Sequence, residues 1–155
     1  MPDVEAAEEV AAAGGGYERD TVAPLLVVLT QEGLMEYGPV THVWYRAPIT
    51  EAKMAPLAKL DHLERLTVIP PLGPTGFPVT NPVVASDPAA WRRLAELRAL
   101  REVSIQDTDI RDDDLANLEG LPRLRRIDLR GNPHLTPAGV DRLRRARPDA
   151  HINYP

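Results

Sequence analysis

Three stretches of this sequence align without a gap: Ile49 to Leu60 (ITEAKMAPLAKL), Ile110 to Leu121 (IRDDDLANLEGL) and Leu135 to Ala146 (LTPAGVDRLRRA). Each carries an apolar residue at its first, sixth, ninth and last places. Each is followed by an apolar-polar-apolar run, at Leu66-Thr67-Val68, Ile127-Asp128-Leu129 and Ile152-Asn153-Tyr154. The wider spacing suits a helical turn with one covered face, and the alternation suits a strand with one covered face. A pair of this kind cannot bury its own apolar faces, so its recurrence predicts stacked units.

The period supports this. Val43 to Leu66 spans 23 residues, Val103 to Ile127 spans 24 and Ile127 to Ile152 spans 25. Leu66 to Val103 spans 37, which places an insertion of about 13 residues after the second strand. The insertion is visible as Pro70 to Pro88, whose six prolines exclude a regular helix or a central strand. A further copy resumes over Ser86 to Leu97, with Trp91 in the place held by Met54, Leu115 and Val140. Thr50, Asp109 and Thr136 stand where helix N-caps belong, and Pro137 suits a first helical turn.

The strand pattern reads as Leu100, Val103, Ile105, Thr108 and Ile110, and again as Leu124, Ile127, Leu129 and Asn132, with Leu135 one place late. Weaker copies are Val40, Val43, Tyr45 and Ile49, then Leu63, Leu66 and Val68, and finally Ile152 and Tyr154, with Asp149 in an aliphatic place. On these residues the chain resembles leucine-rich repeat proteins, in particular the cysteine-free, bacterial-type relatives of the ribonuclease-inhibitor-like class. The resemblance covers residues 40 to 154. It implies an α/β solenoid, a right-handed superhelix with about five parallel strands on a concave face and helices on the convex face. It also implies a non-catalytic protein-protein interaction module.

The flanks are read from composition. Residues 1–19 are rich in Ala, Glu and Gly, offer little to bury, and are expected to be a disordered acidic tail. Residues 20–39 are assigned to cap the first unit, either as a helix capped by Asp20 or Thr21 or as a hairpin of Leu25 to Leu29 with Leu34 to Tyr37. Residues 40–155 form the repeat domain. The absence of Cys excludes disulfides and thiol chemistry. No apolar run is long enough for a membrane span, and the acidic start does not resemble a signal peptide, so a cytoplasmic location without a membrane partner is expected.

With the strands in register, alternate positions fall on the face turned away from the core. One column is His42, Arg65, Glu102, Arg126 and His151. The next is Trp44, Thr67, Ser104, Asp128 and Asn153, and the third is Arg46, Ile69, Gln106 and Arg130. Trp and Arg are favoured interface anchors. The candidate partner-binding residues are therefore Trp44, Arg46, Arg65, Glu102, Gln106, Arg126, Asp128 and Arg130, with Phe77 of the Pro-rich loop as a second contact. The alternatives are that Trp44 packs on the capping segment and that the loop folds onto its own repeat. An accessory or inhibitory subunit that blocks an enzyme or effector is the second functional reading.

Other chemistries find little footing. Asp107, Asp109, Asp112, Asp113 and Asp114 fail the EF-hand pattern, which needs Gly at 112 and Glu at 118, and acids are favoured near helix starts in any case. The histidines His42, His62, His134 and His151 lack metal-ligand spacing, and His42 and His151 lie four rungs apart, about 19 Å. No nucleophile elbow, P-loop or dinucleotide motif is present, so no catalytic residue, metal or cofactor is assigned. Residues 121–155 carry net charge +5, with eight Arg, but these divide between strand, lead-in and helix rather than forming one phosphate-binding stripe. Nucleic acid is accordingly ranked below a protein partner. Ile152 and Tyr154 occupy strand positions at the end of the sequence, which suggests a homodimer or partner contact at an uncapped edge.

Overall fold

A computed structural model describes residues 2–19, 26–30, 33–37, 39–70 and 86–155. In chain order the elements are α1 (Pro2–Ala12), β1 (Gly16–Arg19), β2 (Leu26–Thr30), β3 (Gly33–Tyr37), β4 (Val40–Arg46) and α2 (Glu51–Met54). There follow β5 (Arg65–Ile69), α3 (Pro88–Arg92), β6 (Glu102–Ile105), α4 (Ala116–Glu119), β7 (Arg126–Asp128), α5 (Pro137–Ala146) and β8 (His151–Asn153). Single 3-10 segments extend α2 over Ala55–Lys59 and α3 over Arg93–Glu96.

The alternating runs form the strands because only one side of each is apolar. β4 to β8 are parallel neighbours in a six-stranded sheet of order β1-β4-β5-β6-β7-β8. Val40, Val43 and Tyr45 are buried, as are Leu66 and Val68, Val103 and Ile105, Ile127 and Leu129, and Ile152. Against them pack the buried residues of the short helices: Met54 and Leu57, Trp91 and Leu94, Leu115 and Leu118, and Val140 and Leu143. The spaced apolar positions of the sequence thus make one core between sheet and helices. Each fully buried aliphatic side chain contributes roughly 1.5–3 kcal/mol, which no single strand-helix pair obtains alone.

Polar links join successive units where the chain leaves the strands. Asn132 Nδ2 donates to the carbonyls of Ile105 and Leu129, each at 2.7 Å, and its Oδ1 accepts from both the amide and the hydroxyl of Thr108 at 2.8 Å. The Ser86 hydroxyl accepts from the Ile49 amide, and Asp109 accepts from the Ser86 amide. Thr50 and Thr136 cap α2 and α5, accepting from the amides of Lys53 and Gly139. Asp109 departs from the sequence expectation, since it bonds across to Ser86 instead of capping a helix. Asp114 accepts from the Arg111 amide, Asp112 to Leu115 form turns, and α4 starts only at Ala116. A short acid bonding to nearby backbone delays the helix.

The N-terminal segment corrects the expectation most. Where a disordered tail is expected over 1–19, residues 2–19 are ordered: α1 and β1 add a further helix-strand pair beside the first unit. Ala6, Ala7 and Val10 are fully buried, and α1 packs against the 3-10 segment after α2, with Lys59 and Glu9 paired at 2.7 Å. β1 runs antiparallel to β4, placing Gly16 opposite Trp44 and Glu18 opposite His42. A Cβ on Gly15 would stand 2.3 Å from the buried Tyr45 ring, so only glycine allows this approach. Small side chains lower the hydropathy of the segment yet let the backbones come close, which composition does not register. Burial and, secondarily, Glu9 raise the pKa of the Tyr45 hydroxyl.

The segment 20–39, assigned as the cap, contains the β2-β3 hairpin, a two-stranded sheet separate from the main one. The strand beside β4 on the side away from β5 is β1. The proline-rich insertion from 71 to 85, including Phe77, lies outside the described residues.

Candidate functional site

The sheet face opposite the helices carries the polar partners of the buried strand residues. Parallel register aligns His42, Arg65, Glu102, Arg126 and His151 across β4 to β8, and beside them Trp44, Thr67, Ser104, Asp128 and Asn153. Arg46 pairs with Ile69 one step further on. Parallel strands hold these side chains in rows about 4.8 Å apart. All of them are half-buried or exposed.

Trp44 is half-buried and lies across β1. A Cβ on Gly16 would stand 2.2 Å from Trp44 Cε2 and Cζ2, so the glycine opens the space in which the ring lies. His42 tilts against it, with ring centroids 5.4 Å apart and planes at 56°. His42 is itself held by Thr67 Oγ1 at 3.0 Å and Glu18 Oε2 at 3.3 Å. The aromatic is therefore fixed on the polar side of the sheet by β1, outside the apolar core.

Most charges on this face are already matched. Glu18 faces Arg65 at 3.5 Å, Glu102 faces Arg126 at 3.0 Å, and Asp128 faces Arg130 at 2.7 Å. Gln106 Nε2 donates to Ser104 Oγ and Asp128 Oδ2. The hydrogen bonds from Arg130 hold the Asp128 carboxyl below the usual carboxylate range, against a smaller opposing effect of burial. Exposed pairs of this type orient side chains more than they stabilise the fold. A shallow depression of about 90 Å³ lies among Glu102, Ser104, Arg126, Asp128, His151 and Asn153. Hydrogen-bond donors and acceptors thus alternate across the face beside one aromatic.

The structure brings eight sequence-selected residues, Trp44, Arg46, Arg65, Glu102, Gln106, Arg126, Asp128 and Arg130, onto one face or its edge. Phe77 falls among the undescribed residues. Glu18 and Gly16 were missed, and both come from the segment read as disordered. The one signal of a strand there is Tyr17, a single aromatic between Gly16 and Glu18 that packs on the core side.

The acidic run disperses. Asp109 bonds Ser86, Asp112 accepts from the amide and hydroxyl of Thr136, and Asp114 accepts from Arg111. Among the described residues no group of three or more His, Asp or Glu has the arrangement to hold a metal ion. The C-terminal arginines also divide. Arg147 is buried and bonds the carbonyls of Leu121 and Leu124, while Arg125 pairs with Asp149. Asp149, which stands in an aliphatic place of the pattern, serves both arginines.

No model of a known protein family matches the chain, and no curated protein matches it. Among the described residues no helix is long and apolar enough to cross a membrane.

Proposed function

We propose that the chain is a leucine-rich repeat solenoid of the cysteine-free kind, acting in the cytoplasm as a non-catalytic module that binds a protein partner through the exposed sheet face. The observation that carries this reading is Trp44, a large aromatic kept on the polar side of the sheet by a glycine beneath it and flanked by oriented charged side chains. Interface anchors are commonly such residues, and a rigid sheet presents them at little entropic cost. The internal matching of charge favours a partner read by shape and hydrogen bonding over a polyanion held by net charge.

The test is affinity capture from the cells that make the protein, with the native chain and with Trp44→Ala side by side. A protein retained by the native chain and lost with Trp44→Ala, while circular dichroism of the variant is unchanged, supports the reading. Equal retention by both chains refutes it. Loss of the folded state in Trp44→Ala reassigns the ring to stability.

A further inference from the structure

We infer that Arg46, beside Trp44 and Ile69, is an anion-binding corner of the sheet face, and that the partner meets it with an acidic residue flanked by apolar ones. This rests on the binding reading above and specifies the partner's chemistry.

The corner stands out by what it lacks. Arg65, Arg126 and Arg130 on the same face each have a carboxylate within 4 Å. Arg46 is exposed, and among the described residues its side chain reaches only the Pro70 carbonyl, at 3.3 Å. Lys53 adds a second positive charge at the same end of β4, where its amine donates to the carbonyls of Arg46 at 3.0 Å and Pro48 at 2.8 Å. Among the described residues neither cation has a carboxylate partner. Glu51, the nearest acid in sequence, is engaged by Arg93 at 2.7 Å. The undescribed residues that follow Pro70, from 71 to 85, contain no Asp or Glu that could neutralise the pair.

The neighbours set the rest of the chemistry. Trp44 precedes Arg46 by two residues on the same face, and Ile69 lies opposite Arg46 in the β4-β5 register. Both are half-buried and apolar. A guanidinium that spends one donor on a carbonyl keeps others for a bidentate carboxylate. Partial shielding by the flanking apolar groups strengthens such a contact relative to open water. An acidic residue alone would use the guanidinium and leave Trp44 and Ile69 bare, whereas an acidic residue between apolar ones covers all three.

The probe is a seven-residue peptide alternating glutamate and leucine and blocked at both ends, with glutamine in place of glutamate as its neutral control. Each is titrated to millimolar concentration into the full chain, labelled with nitrogen-15, at low salt. The expected result is shifts at the Trp44 indole N–H and the Arg46 and Ile69 amides. Affinity should drop about fivefold for the neutral peptide, for Arg46→Gln, and on raising the salt. Equal affinity of the two peptides overturns the corner, as do shifts centred on Arg123 and Arg145, the two arginines of the C-terminal segment with no carboxylate within 4 Å among the described residues. If Trp44→Ala abolishes binding while Arg46→Gln leaves it unchanged, the corner falls and the face reading stands. No shift with either peptide also overturns the corner, and leaves the face reading to the capture experiment.

Discussion

Replacing Asn132 with Ala is expected to destabilise the fold by about 4 kcal/mol. The side chain is 5% exposed and makes four hydrogen bonds of 2.7–2.8 Å. Its amide serves carbonyls on two successive strand ends, Ile105 and Leu129, and its carbonyl takes both donors of Thr108, itself 1% exposed. A net value of roughly 0.5–1.5 kcal/mol per bond gives about 2–6 kcal/mol for the set, and leaving buried groups unpaired pushes toward the upper part of that range. Thr108→Val removes one of the four bonds and should cost about 1 kcal/mol. Urea unfolding followed by circular dichroism and tryptophan emission measures both, and the unchanged slope with denaturant checks that the native state stays intact. A loss below about 1 kcal/mol for Asn132→Ala, or one no larger than for Thr108→Val, refutes the role of this residue as the bond between units.

Ile127→Ala, at a residue 1% exposed, should cost about 2–5 kcal/mol in the same assay, while Arg126→Ala next to it leaves the midpoint unchanged; comparable losses at both would break the assigned register. Gly15→Ala drives a methyl into the Tyr45 ring, which is fully buried, and is expected to cost about 1–3 kcal/mol. Gly16→Ala instead meets the half-buried Trp44 ring, so the ring turns outward and its emission shifts to the red with a smaller effect on the melting temperature; unchanged emission refutes that packing. Asp128 has a folded-state pKa below its unfolded value of about 3.9, so its stabilising effect is complete above that pH and disappears as the pH falls through the folded value. The stability difference between the native chain and Asp128→Asn should therefore be present at pH 7 and shrink below pH 4, and a difference that grows on acidification contradicts the pairing with Arg130.

The five parallel strands were legible because period-two alternation and a repeat of 23 to 25 residues fix both the buried face and the register. Val43, Leu66, Val103, Ile127 and Ile152 align in the sheet as their spacing requires. Residues 2–19 were not legible because their burial depends on small size. Ala6 and Ala7 contribute little to any hydropathy pattern, and the usefulness of Gly15 and Gly16 appears only once Tyr45 and Trp44 lie beside them. The position of α4 escaped for another reason. Asp109, Asp112 and Asp114 each suit an N-cap, and the competition is decided by Ser86 and Thr136 from neighbouring units.

The same limit applies to the candidate site, where the rows were readable and the pairing of charge was not. Counted along the chain, the C-terminal segment is the basic part of the molecule. In space, Arg125, Arg126, Arg130, Arg142, Arg144 and Arg147 each have a carboxylate within 4 Å, while Arg123 and Arg145 have none among the described residues. Compensated arginines still add to the long-range field that steers an encounter, but a partner must break an existing pair to contact them. Among the described residues Arg46 has no such pair to break. Between Arg65 and Arg46 the same difference depends on Glu18, because β1 brings this acid to His42 and Arg65 near one end of β4, and among the described residues none reaches Arg46 at the other. The segment read as a tail therefore shapes the face twice, by placing Trp44 over Gly16 and by determining which cations beside it remain open to a partner.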